Sequence, residues 1–202
     1  MGKKGLLLVV SGPSGAGKGT ICAEYMKRYD DCSLSVSATT RAPREGEIDG
    51  KSYYFLSKEE FEKRIKEDGF LEHAAFCGNY YGTPKEAVMK MIESGTDVIL
   101  EIEVQGAMQV RSHYPESVFV FVIPPSKEEL KNRLVKRGTE KEEVILERLE
   151  RAKKEYAFVE KYNYVLVNDD KDAACSRLRS IVEAEKCIMP RNYEFVKKEF
   201  ID

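Results

Sequence analysis

Short apolar runs alternate along this chain with longer segments in which apolar residues recur every three or four positions. The short runs predict core β-strands at Leu6–Val10, Val98–Ile102, Val118–Ile123 and Tyr164–Val167. The longer segments predict core helices at Lys18–Tyr29, Lys85–Glu93, Gly106–His113 and Asp172–Cys187. Because strands that alternate with helices form parallel sheets, we predict an α/β fold in which helices flank a parallel sheet.

Two stretches depart from this alternation. Residues 33–83 contain short strand-like segments and one helix, which predicts a small α+β insertion at the active-site end of the sheet. These segments are strands at Leu34–Ser37, Tyr53–Leu56, Phe70–Phe76 and Asn79–Tyr81 and a helix at Lys58–Glu67.

Residues 126–161 are densely charged and helical, with a break at Gly138-Thr139. A hinged lid and a solvated helical hairpin both fit that second stretch.

The length and charge of the chain limit its class. A chain of 202 residues fits one domain, with a core of residues 1–32, 84–125 and 162–202, the insertion 33–83 and the lid 126–161. The formal net charge of −2 argues against a nucleic-acid binder, and the apolar runs are too short to span a membrane. The five cysteines form no C-x-x-C pair, so we expect reduced thiols and a cytoplasmic protein.

A glycine-rich stretch follows the first predicted strand directly. Residues 12–20 read Gly-Pro-Ser-Gly-Ala-Gly-Lys-Gly-Thr, in which glycines let the backbone N–H groups converge on a polyanion and Lys18 adds a full charge. This is a phosphate loop with one departure, because Gly19 stands where the pattern asks for a magnesium-binding Ser or Thr. Either Thr20 supplies the hydroxyl group, or nucleotide phosphates and water hold most of the metal.

Two arginines flank a proline in the predicted insertion. Arg41 and Arg44 lie on either side of Pro43, which stiffens the turn between them. Two guanidinium groups held in this way suit a phosphate dianion. Two exposed surface arginines are the alternative.

Further motifs follow in order along most of the chain. They are Ser-Val-Ser-x-Thr-Thr-Arg-x-Pro-Arg-x-Gly-Glu, Gly-x-x-Tyr-x-Phe, Gly-Asn-Tyr-Tyr-Gly, Pro-Pro-Ser, Arg-Gly-Thr-Glu and Val-Asn-Asp-Asp. With the phosphate loop, they resemble the guanylate kinase family in order and spacing from about Leu6 to Asp170. The resemblance implies a P-loop NTPase-like fold and transfer of the γ-phosphoryl group of MgATP to GMP or dGMP, in purine nucleotide metabolism and GMP recycling.

The resemblance also implies which residues bind each substrate. The ATP site would comprise Gly12, Pro13, Ser14, Gly15, Ala16, Gly17, Lys18, Gly19, Thr20 and Asn168. The guanine base would contact Ser37, Glu72, Thr83 and Glu103, and the GMP phosphate would contact Arg41, Arg44, Tyr53 and Tyr81. Guanine presents adjacent donors at N1 and the 2-amino group, which one carboxylate can accept together. Core packing is the alternative for the two tyrosines, and a strand-end turn is the alternative for Asn168.

Magnesium would accompany ATP, with Thr20 and Glu101 near it, directly or through water. A structural strand-end acid is the alternative for Glu101. The chain reads Glu101-Ile102-Glu103, whereas the family typically has aspartate at the third of these positions. Glu103 is one methylene longer than that aspartate.

The charged segment 126–161 supplies the remaining catalytic candidates. Arg133, Arg137 and Arg148 match the arginines that the family brings onto the phosphates, and with Lys18 and Arg44 they form the predicted catalytic set. We expect the neighbouring Lys131, Lys136, Arg151 and Lys153 to be solvated surface charges.

Three rival functions lack support in the sequence. A kinase for another monophosphate would lose the base-reading residues, which are present. A silent binding module would lose Lys18 or the lid arginines, which are also present, and a GTPase switch would carry Asn-Lys-x-Asp, which is missing. The oligomeric state stays open.

Overall fold

The computed structural model describes residues 4–136 and 142–202. Its centre is a five-stranded parallel sheet in the order β2-β7-β1-β8-β9. These strands, numbered along the chain, are β1 (Leu7–Ser11), β2 (Cys32–Leu34), β7 (Asp97–Glu101), β8 (Val118–Ile123) and β9 (Tyr164–Val167). This arrangement confirms the prediction of a parallel sheet between helices.

The helices carry the connections between the strands. They are α1 (Lys18–Arg28), α2 (Lys58–Lys66), α3 (Lys85–Glu93), α4 (Val104–His113), α5 (Lys127–Lys136), α6 (Glu142–Tyr156), α7 (Lys171–Cys187) and α8 (Met189–Phe200). A short 3-10 helix, Val159–Lys161, precedes β9. None of the described helices is long and apolar enough to cross a membrane.

Both faces of the central sheet are buried. Along β1, Leu8 and Val10 face a cluster that includes Ile21 of α1 and Leu178 of α7. Val9, on the opposite face, belongs to a second cluster with residues of α3 and α4. Because helices cover both faces, the strands are apolar throughout rather than alternating.

A second, four-stranded sheet lies between residues 38 and 84. Its order is β4-β3-β6-β5, with β3 (Ala38–Thr39), β4 (Tyr54–Phe55), β5 (Phe70–Phe76) and β6 (Asn79–Pro84). Helix α2 packs on it through Phe61, whose ring stacks on Phe70 with centroids 4.3 Å apart and on Tyr80 at 5.3 Å. This small core supports one wall of the site described below.

One predicted strand needs correction, and the structure adds detail to two other segments. The predicted strand Leu34–Ser37 is displaced, because the strand is Cys32–Leu34 and it pairs with β7 in the central sheet. The last segment, for which the sequence predicted no structure, is helix α8. The charged segment forms α5 and α6, while its predicted break at Gly138-Thr139 lies outside the described residues.

Candidate active site

The loop between β1 and α1 is shaped by its glycines. Gly17 has φ 88° and precedes the first helical residue, Lys18. A Cβ on Gly12 would lie 2.3 Å from the carbonyl oxygen of Val122, so only glycine fits against β8 there. The Lys18 ammonium group donates to the Gly12 carbonyl oxygen at 2.6 Å, which places its charge inside the loop. The N–H groups at the start of α1 add to this positive centre.

A cleft of about 730 Å³ opens between this loop and the second sheet. That volume falls within the range for small-molecule sites, about 300–1,000 Å³. From the loop side, the cleft is lined by Ser14, Gly15, Gly17, Lys18, Gly19 and Thr20. Facing them, it is lined by five residues predicted for GMP, namely Ser37, Tyr53, Glu72, Tyr81 and Glu103, and by Glu101. The fold thus brings residues of both predicted substrate sites to one cavity.

Glu72 is a buried carboxylate on the cleft wall. Its side chain accepts a hydrogen bond of 2.7 Å from the hydroxyl group of Thr83, on the paired strand β6. Burial raises the pKa of the Glu72 carboxyl above its usual range, and the bonds from Thr83 offset part of that rise. A Cβ on Gly106 would lie 2.6 Å from Glu72 Oε2, so this glycine makes room for the carboxylate. Thr83 itself is fully buried behind Glu72.

Arg41 and Arg44 lie on a loop organised by Glu47. The Glu47 carboxylate accepts from Arg41 at 2.8 and 3.0 Å and from the backbone N–H of Arg44 at 2.7 Å. The Arg41 guanidinium group also stands 5.4 Å from the ring centroid of Tyr53, which contacts Tyr81 edge to face. Arg41 therefore adjoins the two cleft tyrosines, although neither arginine lines the cleft itself. Sequence reasoning assigned no role to Glu47.

Glu101 ends strand β7 beside the helix start. A Cβ on Gly19 would lie 3.2 and 3.4 Å from the two Glu101 carboxylate oxygens. Burial is the main cause that raises the pKa of Glu101, and the negative charge of Glu103 raises it further, whereas the positive charge of Lys18 lowers it. Among the described residues, no three His, Cys, Asp or Glu side chains form a metal cage. A metal ion beside Glu101 and Thr20 would therefore take most of its ligands from phosphate oxygens and water, as Mg²⁺ often does.

A smaller cleft adjoins the outer side of the phosphate loop. It is lined by Gly15, Gly17, Thr20, Arg133, Asn168, Asp169 and Lys171. Asn168 donates to the Ala16 carbonyl oxygen at 2.8 Å, and Arg133 of α5 donates to the Asn168 carbonyl oxygen at 2.9 Å. The structure thus places Asn168 and Arg133 beside the phosphate loop. Asp169 and Lys171 are lining residues that sequence reasoning did not single out.

The other candidate arginines have different positions. Arg148 is half-buried on α6 and is not one of the residues that line the two clefts described here. Arg137 lies outside the described residues. Arg151, expected to be a solvated surface charge, is exposed, and its side chain also lines the larger cleft and pairs with Glu103 and Glu155.

Comparison with known proteins gives a consistent result. The family model described as guanylate kinase matches residues 4–185. The guanylate kinase of Caldanaerobacter subterraneus subsp. tengcongensis is 56% identical over 196 residues, covering 97% of this chain and 95% of the relative. That of Clostridium tetani is 58% identical over 189 residues, covering 94% and 90%. The crystal structure of guanylate kinase from Anaplasma phagocytophilum aligns with a TM-score of 0.77 and 33% identity, covering 98% of this chain and 96% of the other.

Proposed function

The chain belongs to the guanylate kinase family and is an ATP-dependent kinase that transfers the γ-phosphoryl group of ATP to GMP; we propose that the transfer takes place in the cleft between the phosphate loop and the four-stranded sheet. Lys18 and the loop amides would hold the donor phosphates at one end. The base and phosphate of GMP would bind at the other. The observation that supports this arrangement is one cavity lined both by phosphate-loop residues and by five of the residues predicted for GMP.

Base recognition would depend on Glu72. Its ionised carboxylate can accept N1–H and one hydrogen of the 2-amino group together, with Thr83 holding it in place from behind. Adenine presents an acceptor at N1, which would face the carboxylate without a proton between them. A site built for two donors can discriminate against an analogue that lacks them by roughly 10⁴-fold. Ser37 and Glu103 line the same wall and would contact the remaining polar edges of guanine.

The acceptor phosphate would bind near Tyr53 and Tyr81, with Arg41 and Arg44 adjoining. Its second pKa is about 6, so the attacking oxygen is largely deprotonated at neutral pH. No side chain then has to remove a proton. Catalysis would rest on aligning the two substrates and on balancing the charge of the transferring group. Because Glu47 now holds Arg41, we expect the bound phosphate to compete with Glu47 for that guanidinium group.

The donor side would be held by the phosphate loop, with Asn168 beside the adenine and Arg133 next to the phosphates. Arg148 and Arg137 would join them when the lid segment 126–161 closes. Magnesium, which shields the charge of the phosphate oxygens, would lie near Thr20 and Glu101, directly or through water. Glu101 fits this role, since its carboxylate lies against the start of α1, next to the phosphate loop.

Several wider assignments complete the proposal. We place the enzyme in the cytoplasm, in purine nucleotide metabolism, with no nucleic-acid partner. dGMP would serve as a second acceptor, because the residues proposed for recognition address the base and the phosphate.

The test is ADP formation from MgATP with GMP, dGMP, AMP, CMP and UMP offered separately. We expect rapid turnover with the two guanine nucleotides and little with the others. Glu72→Gln, measured beside it, should raise KM for GMP far more than KM for ATP. Equal turnover with AMP, or equal changes in both KM values, would contradict the assignment of Glu72.

A further inference from the structure

Glu103 stands at the N-terminus of α4, the position where a side chain such as Asp or Ser commonly accepts a hydrogen bond from the first backbone N–H groups of the helix. Here its side chain makes no capping hydrogen bond. Its carboxylate instead accepts from the guanidinium group of Arg151 on α6, at 2.5 Å. The contact joins residues 48 positions apart and connects two walls of the larger cleft.

Arg151 is itself held from the other side. Its Nε donates to Glu155 at 3.1 Å, one helical turn along α6. The Glu155 side chain is only 11% exposed, whereas those of Arg151 and Glu103 are 48% and 57% exposed. The buried Glu155 therefore holds the Arg151 guanidinium group, and the Arg151 side chain also lines the cleft. An exposed ion pair such as Arg151–Glu103 adds little to folding stability. We therefore look for its effect in the binding of a ligand in the cleft.

We propose that Arg151 is a positioning residue for guanine recognition, which holds the Glu103 carboxylate towards the base and so couples helix α6 to the GMP site. Guanine's 2-amino group has two hydrogens, and Glu72 takes one of them together with N1–H. The other hydrogen needs a second acceptor. Arg151 binds Glu103 Oε2, which leaves Oε1 to accept from the base. This inference rests on the proposed placement of Glu103 in the GMP site.

The length of Glu103 supports the assignment. It has one methylene more than the aspartate typical of the family at this position, and so reaches further from the start of α4. A longer side chain is also more mobile, and loses more conformational freedom when it binds a ligand. An arginine that fixes the carboxylate beforehand reduces that cost.

The test compares Arg151→Ala, Arg151→Lys, Glu103→Gln and the double variant Glu103→Gln/Arg151→Ala, with Lys153→Ala on the exposed side of the same helix as control. For each, KM for GMP, KM for ATP, kcat and the ratio of GMP to IMP affinity are measured. IMP lacks the 2-amino group.

We expect Arg151→Ala to raise KM for GMP about 3- to 10-fold, with KM for ATP unchanged and Arg151→Lys partly restoring it. The preference for GMP over IMP should fall. In the Glu103→Gln background, Arg151→Ala should add less than about 2-fold, because it acts through Glu103. Lys153→Ala should behave as wild type, and circular dichroism should show all variants folded.

Three results would overturn the inference, and they are distinct from failure of the proposed site. If Glu103→Gln raises KM for GMP but Arg151→Ala does not, Glu103 binds the base without help from Arg151. Multiplicative effects in the double variant, or equal changes in both KM values, would also contradict it. If Glu103→Gln itself leaves KM for GMP unchanged, the placement of Glu103 in the GMP site is wrong.

Discussion

Burial of the Glu72 carboxylate lowers the stability of the fold, and the role proposed for it in base recognition requires that burial. A buried carboxylate loses hydration, and Thr83 is the side chain that hydrogen-bonds to it. Its raised pKa means that the folded protein binds this proton more tightly than the unfolded chain does. Ionised Glu72 therefore destabilises the fold at pH values above its raised pKa. This destabilisation disappears as the pH falls below the ordinary carboxyl range, where the group is protonated in both states.

We predict that Glu72→Gln is more stable than wild type at pH 8 and that the difference shrinks steadily towards pH 4. The substituted amide keeps an acceptor for Thr83 and removes the buried charge. Thermal unfolding of both proteins at several pH values measures this, and Glu86→Gln, at an exposed carboxylate of α3, is the control. A constant difference across this range would show that the carboxyl charge does not cause the effect. In the same variant, KM for GMP should rise by at least about 100-fold.

Lys18 is the charge at the centre of the phosphate loop. Because its ammonium group is held by the Gly12 carbonyl at 2.6 Å, it is already directed to the place where phosphate charge develops. We predict that Lys18→Ala lowers kcat by about 10²-fold or more, since it removes a preorganised charge from the transferring group. Lys27→Ala, on the exposed face of α1, should leave kcat unchanged. Near-normal turnover of a folded Lys18→Ala variant would contradict the assigned role.

At the scale of elements, two helices begin with a functional glycine in their first turn. Gly106 of α4 lies against Glu72, and Gly19 of α1 lies against Glu101. Each replaces a better helix former, at a cost of about 0.5–1 kcal/mol relative to alanine. The two glycines therefore form a matched pair, one on the side of the cleft proposed for GMP and one on the side proposed for ATP.

We predict that Gly106→Ala raises KM for GMP and leaves KM for ATP unchanged. The new Cβ would come within 2.6 Å of Glu72 Oε2, so the carboxylate has to move. Gly19→Ala serves as the matched control, because it gives a similar gain in helix propensity and should not affect KM for GMP. Steady-state kinetics of both variants, with their melting temperatures, measure this. An unchanged KM for GMP in folded Gly106→Ala would show that Glu72 tolerates displacement.

The elements also show how far a pattern in the sequence can predict structure. The bounds of β8, β9 and α3 match the predicted ones, because the two strands are uninterrupted apolar runs and the helix repeats its apolar residues every three or four positions. Strand β2 has three residues, too few to show a period, and its place in the central sheet depends on pairing with β7, more than sixty residues away. The contacts of Arg151 with Glu103 and of Gly106 with Glu72 depend on how distant elements pack. No pattern in the sequence around these residues predicts the two contacts.

At the scale of the whole molecule, the cleft lies where the two sheets meet. Tyr53, Glu72 and Tyr81 belong to the four-stranded sheet and its borders, whereas Glu103 follows a strand of the central sheet. A nucleotide that touches both would connect the two sheets. ATP bound at the phosphate loop and Asn168 would contact mainly the central sheet and its helices. The two substrates should therefore stabilise different parts of the protein.

We predict that GMP slows hydrogen exchange in β5 and β6, and that a non-hydrolysable ATP analogue slows it in residues 12–20 and around Asn168. Binding to the folded state alone stabilises by about 2.7 kcal/mol at a hundredfold excess of free ligand over Kd, enough to change exchange in the segments that open with the site. Glu72→Gln is the control, since GMP at the same concentration should no longer protect β5 and β6 while the ATP analogue still protects its own segment. Protection by GMP confined to the phosphate loop would place GMP in the donor site and contradict the proposed division of the cleft. Protection of both sheets by GMP alone would support a nucleotide site that holds the four-stranded sheet against the central one.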